Sequence, residues 1–304
     1  FLWQTDFWST VKDVLDDALR QRRPEGILDA TKDFMLDRLD DALEPLARGL
    51  GGRLAWSQMK QNALAATVSE TGGARVAAGH IAKLMAADPN LEIHLVAHSA
   101  GSIFLGGLAQ LLTTNGAIAD GPLAGSQGLG RIVTSCTLWA PACTMEVYDQ
   151  MYAPSIAART LKRFALFTLT DQTERADNCV DLYHKSLLYL VSDALEVHAR
   201  IPVIHEGEPL LGLARDIDDN AELVRKLGKN WVRSPNTMPA GSPYASTARH
   251  HTDFHSDPAT LKATLARVLA DDPVAAKRAE KRKLVQHATQ AGLRSRRETV
   301  DRSG

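Results

Sequence analysis

The stretch between Leu91 and Leu112 restricts the fold of this chain more than any other. Its first half, Leu91-Glu92-Ile93-His94-Leu95-Val96-Ala97, is short, apolar and strand-favouring, while Ile103-Phe104-Leu105-Gly106-Gly107-Leu108-Ala109-Gln110-Leu111-Leu112 carries a helical pattern. His98-Ser99-Ala100-Gly101 lies between them, so the run reads strand, sharp turn, helix. A side-chain-bearing residue at such an apex takes strained φ/ψ angles, and small neighbours such as Ala97 and Gly101 let strand and helix approach closely enough to hold it there. The Ser99 hydroxyl is then pushed off the carboxyl edge of the sheet. The Ala100 amide, at the positive end of the following helix, points to where an oxyanion would form.

The rest of the chain alternates helical and strand-like segments around this element. Apolar spacing predicts helices over 7–20, 28–46, 56–68 and 73–87. After the elbow helix, 113–130 is rich in Gly, Ala, Ser and Asn and reads as a loop; a Val/Ile/Thr-rich strand over 131–140 then ends at Pro141. Helices over 144–152 and 154–160 lead to a strand over 163–170, which delivers Asp171 at its carboxyl end. A polar segment over 172–181, a long helix over 183–199, a strand within 201–213, a short strand over 230–233 and a loop over 234–248 precede a final helix from Thr260. Strands separated by helices predict an α/β fold, a doubly wound, mainly parallel sheet with helices on both faces. The helices over 28–68 read as an insertion near the N-terminus. In such sheets active residues gather at the carboxyl ends of strands, where Ser99 and Asp171 both fall.

Composition excludes several functions. The 304 residues are 44% hydrophobic and 23% charged, as in a globular chain with a sizeable core, and the formal net charge of −1 argues against nucleic-acid binding. No run of 18 apolar residues is present to span a membrane. Cys136, Cys143 and Cys179 form an odd, sparse set without a CxxC pair, which reads as reduced thiols in a cytoplasmic protein. The acids Asp29, Asp33, Asp37, Asp40 and Asp41 fall around the polar side of a helix and lack calcium-loop spacing; His250 and His251, being adjacent, do not share one metal comfortably. No metal is expected. The basic residues of 271–304, Arg294, Arg296 and Arg297 among them, read as a solvated tail, helical or disordered, beyond a domain over 1–270.

Ala97-His98-Ser99-Ala100-Gly101 resembles the Gly-x-Ser-x-Gly nucleophile elbow of the α/β-hydrolase fold, with Ala for the first Gly. The resemblance implies a Ser, acid, His order along the chain. Asp171, at a strand end after Ser99, is the acid this order selects, with Asp177 and Glu174 in the same polar segment as alternatives. For the base, the segment Arg249-His250-His251-Thr252-Asp253-Phe254-His255-Ser256-Asp257-Pro258-Ala259-Thr260 resembles a His-Gly-Gly-Phe-Asp-Asn-Asp-x-x-Thr pattern of bacterial α/β-hydrolases of unassigned substrate. Aligning Phe254, Asp257 and Thr260 places the family histidine at His251, and the departures at Thr252-Asp253 and His255-Ser256 leave His250 and His255 open. His184, His198, His205 and His287 have ordinary structural explanations.

What the resemblance implies is a serine hydrolase that cleaves a carboxylic ester or related acyl bond of a small molecule without a cofactor. Ser99 attacks, His251 carries the proton, Asp171 orients His251, and the Ala100 amide supports the oxyanion. No His-Gly-Gly loop precedes Ser99, so the second oxyanion donor is expected upstream of residue 1, on first strands that this chain lacks. The rival expectation is a weak or inactive protein of the same fold that serves as a binding module or scaffold.

Overall fold

A computed structural model describes residues 40–41, 43–179, 183–201 and 206–270. The helix expected over 7–20, the greater part of that over 28–46, His205, His287 and the basic tail lie outside the described residues. After helical residues 43–47 and a π turn at Arg48–Gly52, two helices follow, α1 (Arg53–Val68) and α2 (Gly73–Ala87). The sheet then opens with β1 (His94–His98), and α3 (Gly101–Thr113) comes directly off its end.

Four parallel strands form the sheet in the order β1, β4 (Ser135–Trp139), β5 (Phe164–Leu169), β6 (Trp231–Ser234). The order advances in one direction without a reversal among the described residues, so the arrangement is α/β with a parallel sheet, and the point where a doubly wound sheet would turn back is not among them. β4 and β5 are buried along their whole length, which is what their unbroken apolar sequence requires of a strand covered on both faces. On one face lies α3, buried almost all round, with α4 (Met145–Met151) and α5 (Ala153–Ala157) beyond it. On the other lies α10 (Pro258–Val268), whose Thr264 hydroxyl accepts a hydrogen bond from the Trp139 indole at 3.1 Å.

The glycine pair of α3 explains how a helix can be packed on two sides. A Cβ at Gly106 would sit 2.9 Å from Met151 Sδ and 3.1 Å from a Tyr152 ring carbon, and one at Gly107 would sit 3.1 Å from the Thr67 hydroxyl of α1. Bare backbone at both positions lets neighbours close in from opposite directions.

Several segments differ from the reading of the sequence. Within 113–130 a two-stranded antiparallel ribbon forms from β2 (Asn115–Ala117) and β3 (Gln127–Leu129). The polar segment after β5 begins as a helix, α6 (Asp171–Ala176), because the Thr170 hydroxyl accepts from the Thr173 amide and caps it. The helix expected over 183–199 shrinks to α7 (Leu187–Leu190) and a π turn at Val191–Leu195. It starts late because His184 and Lys185 are drawn away, the His184 amide donating to Asp40 at 3.0 Å and Lys185 pairing with Glu44 at 3.7 Å. Residues 206–213 hold no strand, Leu210 making an isolated bridge to Thr144. Between Leu213 and β6 stand α8 (Ala214–Asp218), α9 (Ala221–Leu227) and a 3-10 turn at Gly228–Asn230. Among the described residues no helix is long and apolar enough to cross a membrane.

Candidate active site

Ser99 stands between the last residue of β1 and the first of α3 with φ of +53°, in the left-handed region that costs a side-chain-bearing residue about 1 kcal/mol or more. Main-chain hydrogen bonds hold it there. Its amide donates to the Trp139 carbonyl at 3.0 Å, and its carbonyl accepts from the Ala142 amide at 3.1 Å. The same carbonyl accepts from the Ser102 amide at 3.0 Å and the Ser102 hydroxyl at 2.7 Å, and that hydroxyl in turn accepts from the Cys143 amide at 3.2 Å. Ser102 is a fastener that the sequence reading passed over; its signal was a small hydroxyl in the first turn of the helix, three residues past the nucleophile position. The glycine of the elbow is less constrained than expected: a Cβ at Gly101 would meet the Ala97 methyl at 3.7 Å, an ordinary contact.

The imidazole at Ser99 belongs to His251, with Nε2 2.9 Å from the Ser99 hydroxyl oxygen. His251 is only 2% exposed, whereas Ser99 is half-buried. Burial holds the His251 imidazole well below its ordinary value, and the neighbouring His98 and His255 add to the effect. It is therefore neutral at pH 7, the form able to accept a proton. The Ala100 amide, capping α3 beside Ser99, has no hydrogen-bond acceptor among the described residues.

His251 sits on a turn pinned by carboxylates. Its amide donates to Asp177 Oδ2 at 2.9 Å, and the adjacent His250 donates from Nδ1 to Asp177 Oδ1 at 2.7 Å. Asp253 accepts from the amides of Arg249 and His250, both at 2.9 Å. Asp257 caps α10 through the Thr260 amide and ties back to the Thr247 amide at 2.9 Å. Burial works against the Asp257 charge, but the donors from Thr247 and Thr260 outweigh it and hold its carboxyl below the ordinary value. Phe254 is fully buried beneath the turn.

His98, the residue between Ala97 and Ser99, is a second participant that sequence reasoning missed. Its Nε2 donates to the His251 carbonyl at 2.9 Å, its ring centroid lies 4.9 Å from that of His251, and burial pushes it down to about 4. Only its position beside Ser99 could have marked it. His255, one of the open alternatives for the base, lies with its ring 5.8 Å from His98, and His250 is turned to Asp177.

The three carboxyl groups considered for the acid have separate fates. Asp171 accepts from the Tyr189 hydroxyl and, at 2.8 Å, from Arg175 Nε. Burial disfavours its charge, yet Tyr189 and Arg175 outweigh that and hold it below its ordinary value. Glu174 is fully buried, and burial, reinforced by the charges of Asp177 and Asp171, pushes it up to about 8, so it is protonated at pH 7. Asp177 is the carboxylate that meets the backbone of His251. The reason is α6: its turns carry the chain from Asp171 at the strand end to Asp177 at its own C-cap, against the His250–His251 turn. Cys136, Cys143 and Cys179 are free thiols in the core, the latter two pushed up to about 12 by burial. Among the described residues no cluster of His, Cys, Asp and Glu could hold a metal ion. No family model matches the chain, and no curated protein and no solved structure matches it either.

Proposed function

We propose that this chain is a serine hydrolase of α/β-hydrolase type that cleaves a carboxylic ester or related acyl bond in a small molecule. The observation that carries the reading is the 2.9 Å approach of His251 Nε2 to the hydroxyl of a serine held at positive φ between strand and helix. The order of parts supports it: the serine follows β1, the acidic segment follows β5 and the histidine turn follows β6, all beyond the carboxyl ends of neighbouring parallel strands.

In this reading the Ser99 hydroxyl donates to His251 Nε2 and, as its proton moves there, attacks the acyl carbon. The Ala100 amide donates to the oxygen of the tetrahedral intermediate, where α3 places its positive end. His251 then gives the proton to the departing alcohol oxygen, leaving an acyl-Ser99 that water resolves by the same route in reverse. We assign the acid's role to Asp177, which fixes the His251 main chain and brings a carboxylate against the turn, in place of Asp171, whose oxygens serve Tyr189 and Arg175.

A fluorophosphonate probe tests the proposal. The chain is expected to label at Ser99 and Ser99→Ala to remain unlabelled while keeping its unfolding midpoint. Equal labelling of Ser99→Ala, or none of the parent chain, overturns the catalytic reading, and the latter result favours a binding module on the same fold.

A further inference from the structure

β1 ends, one residue before the nucleophile, on a side chain that no step of the mechanism above uses. His98 is the register partner of Trp139 in β4, so the two side chains leave the sheet on the same face. Both donate a ring N–H to the layer that carries the base: Trp139 to the Thr264 hydroxyl of α10 at 3.1 Å, and His98 from Nε2 to the His251 carbonyl at 2.9 Å. A carbonyl only accepts, so the His98 proton sits on Nε2.

His251 is thereby held at both ends of its main chain. Its amide is bonded to Asp177 Oδ2 at 2.9 Å, on the segment that follows β5, and its carbonyl to the residue that precedes Ser99. The two bonds fix different things. Asp177 sets the histidine turn relative to α6, whereas His98 sets it relative to the elbow. The 2.9 Å approach of His251 Nε2 to Ser99 is then closed by a short circuit through Ser99, His98, the His251 carbonyl and the His251 ring. The His98 ring lies 4.9 Å from that of His251, 5.8 Å from His255 and 6.5 Å from Phe254, neighbours that hem it in. Burial keeps it uncharged at pH 7, as suits a neighbour of a base that becomes cationic on taking the Ser99 proton.

We propose that His98 is a positioning residue for the serine–histidine pair: its Nε2–H ties the His251 main chain to the nucleophile elbow and so holds the imidazole at proton-transfer distance from Ser99. The role rests on the hydrolase reading for its chemistry and on the hydrogen bond itself for its geometry. The position requires a neutral side chain with an N–H at the reach of an imidazole Nε2. Glutamine supplies one, its amide nitrogen falling near where Nε2 does; asparagine carries the same amide one methylene short, and leucine carries none. A base displaced by about 1 Å costs on the order of 10² in rate.

Fluorophosphonate labelling rates, measured beside hydrogen exchange of the amides in 249–256, test the assignment. His98→Leu and His98→Asn are expected to label roughly 10²-fold more slowly than the parent and to exchange about tenfold faster in that turn, while His98→Gln stays within about threefold on both measures. Rescue by glutamine but not by asparagine separates a placed N–H from mere filling of space, and the asparagine variant carries the comparison if His98→Leu fails to fold. Labelling at the parental rate in all three variants, or glutamine no better than asparagine, overturns the proposal. A parent chain that does not label overturns the hydrolase reading instead, and exchange then decides the tie alone: slow in parent and His98→Gln but fast in His98→Asn upholds it, and equal exchange in all of them removes it.

Discussion

Ser99 and His251 meet at 2.9 Å, yet they are held in place by different means. Ser99 is clamped through its own main chain, by Trp139 and Ala142 of the β4 end and by Ser102 of its own helix. His251 rides on a turn whose position depends on side-chain carboxylates, Asp177 from the far end of α6, Asp253 within the turn and Asp257 at the cap of α10. A main-chain clamp is indifferent to pH and survives most substitutions. Carboxylate pins, of which Asp177 reaches across the chain, can be cut one at a time. The nucleophile arm is therefore expected to be robust and the base arm fragile.

The largest effect should come from removing the base itself. His251→Ala is expected to slow fluorophosphonate labelling and ester turnover by roughly 10⁴-fold, because the hydroxyl then has nothing to take its proton. Stopped labelling assays on the purified variant measure this, and a loss below tenfold would detach His251 from the chemistry.

Next is the contrast between the two acids of one segment. Asp177→Asn removes the charge that pins the His250–His251 turn and is expected to cost on the order of 10³-fold in the same assay. Asp171→Asn touches Tyr189 and Arg175 and is expected to stay within about threefold of the parent. The reverse order would return the acid's role to Asp171.

Acidification should act on both buried histidines of the site in the same direction. His98 is pushed down to about 4 by burial, against an ordinary value of 6.5, and His251 is lowered as well. Between those pH values the unfolded chain binds protons that the folded chain refuses, so stability falls as pH drops from about 6.5 toward 4, by at most about 3 kcal/mol for His98. Glu174 acts in the opposite sense, since a carboxyl raised to about 8 adds stability as pH falls from 8 to its ordinary 4.5. Comparing denaturant midpoints of the parent and His98→Gln isolates the first term, and the variant should show a flatter fall below pH 6.5. The acid limb of labelling should likewise lie below 6.5, because His251 stays neutral there.

This division also accounts for what the sequence disclosed. β1, the elbow, α3, β4, β5 and α10 were legible because each is declared by residues near one another: apolar runs, a small-residue turn, an Asp-Pro cap. The choice of His251 rested on the resemblance of its segment to a family pattern aligned at Phe254, Asp257 and Thr260, and the structure sets that residue against Ser99. The acid was harder to read. Asp171 occupies the strand end, but whether an acid there meets the histidine or a local cation depends on Arg175 one turn away and Tyr189 on another helix. α6 itself was hidden because a six-residue polar helix shows no apolar period, and its Thr170 cap was the one local sign. His98 could be marked only by its place beside Ser99, since its meaning comes from what faces it across the fold.

The smallest effect separates the glycine of the elbow from one that belongs to no motif. A methyl at residue 101 meets the Ala97 methyl at 3.7 Å and needs no movement, so Gly101→Ala is expected to keep labelling unchanged and to shift stability by less than about 0.5 kcal/mol. A methyl at residue 106 arrives 2.9 Å from Met151 Sδ and 3.1 Å from the Tyr152 ring, whose hydroxyl donates to the Ser102 carbonyl at 2.6 Å. Methionine can yield, the anchored tyrosine less so, and overpacking of about 1–3 kcal/mol then meets a helix-propensity gain of about 1 kcal/mol. Gly106→Ala should therefore be the less stable of the two by about 1 kcal/mol in chemical denaturation. If Gly101→Ala proves the more damaging, contacts between strand and helix at the elbow are tighter than 3.7 Å in solution, and the nucleophile arm is less robust than its main-chain clamp implies.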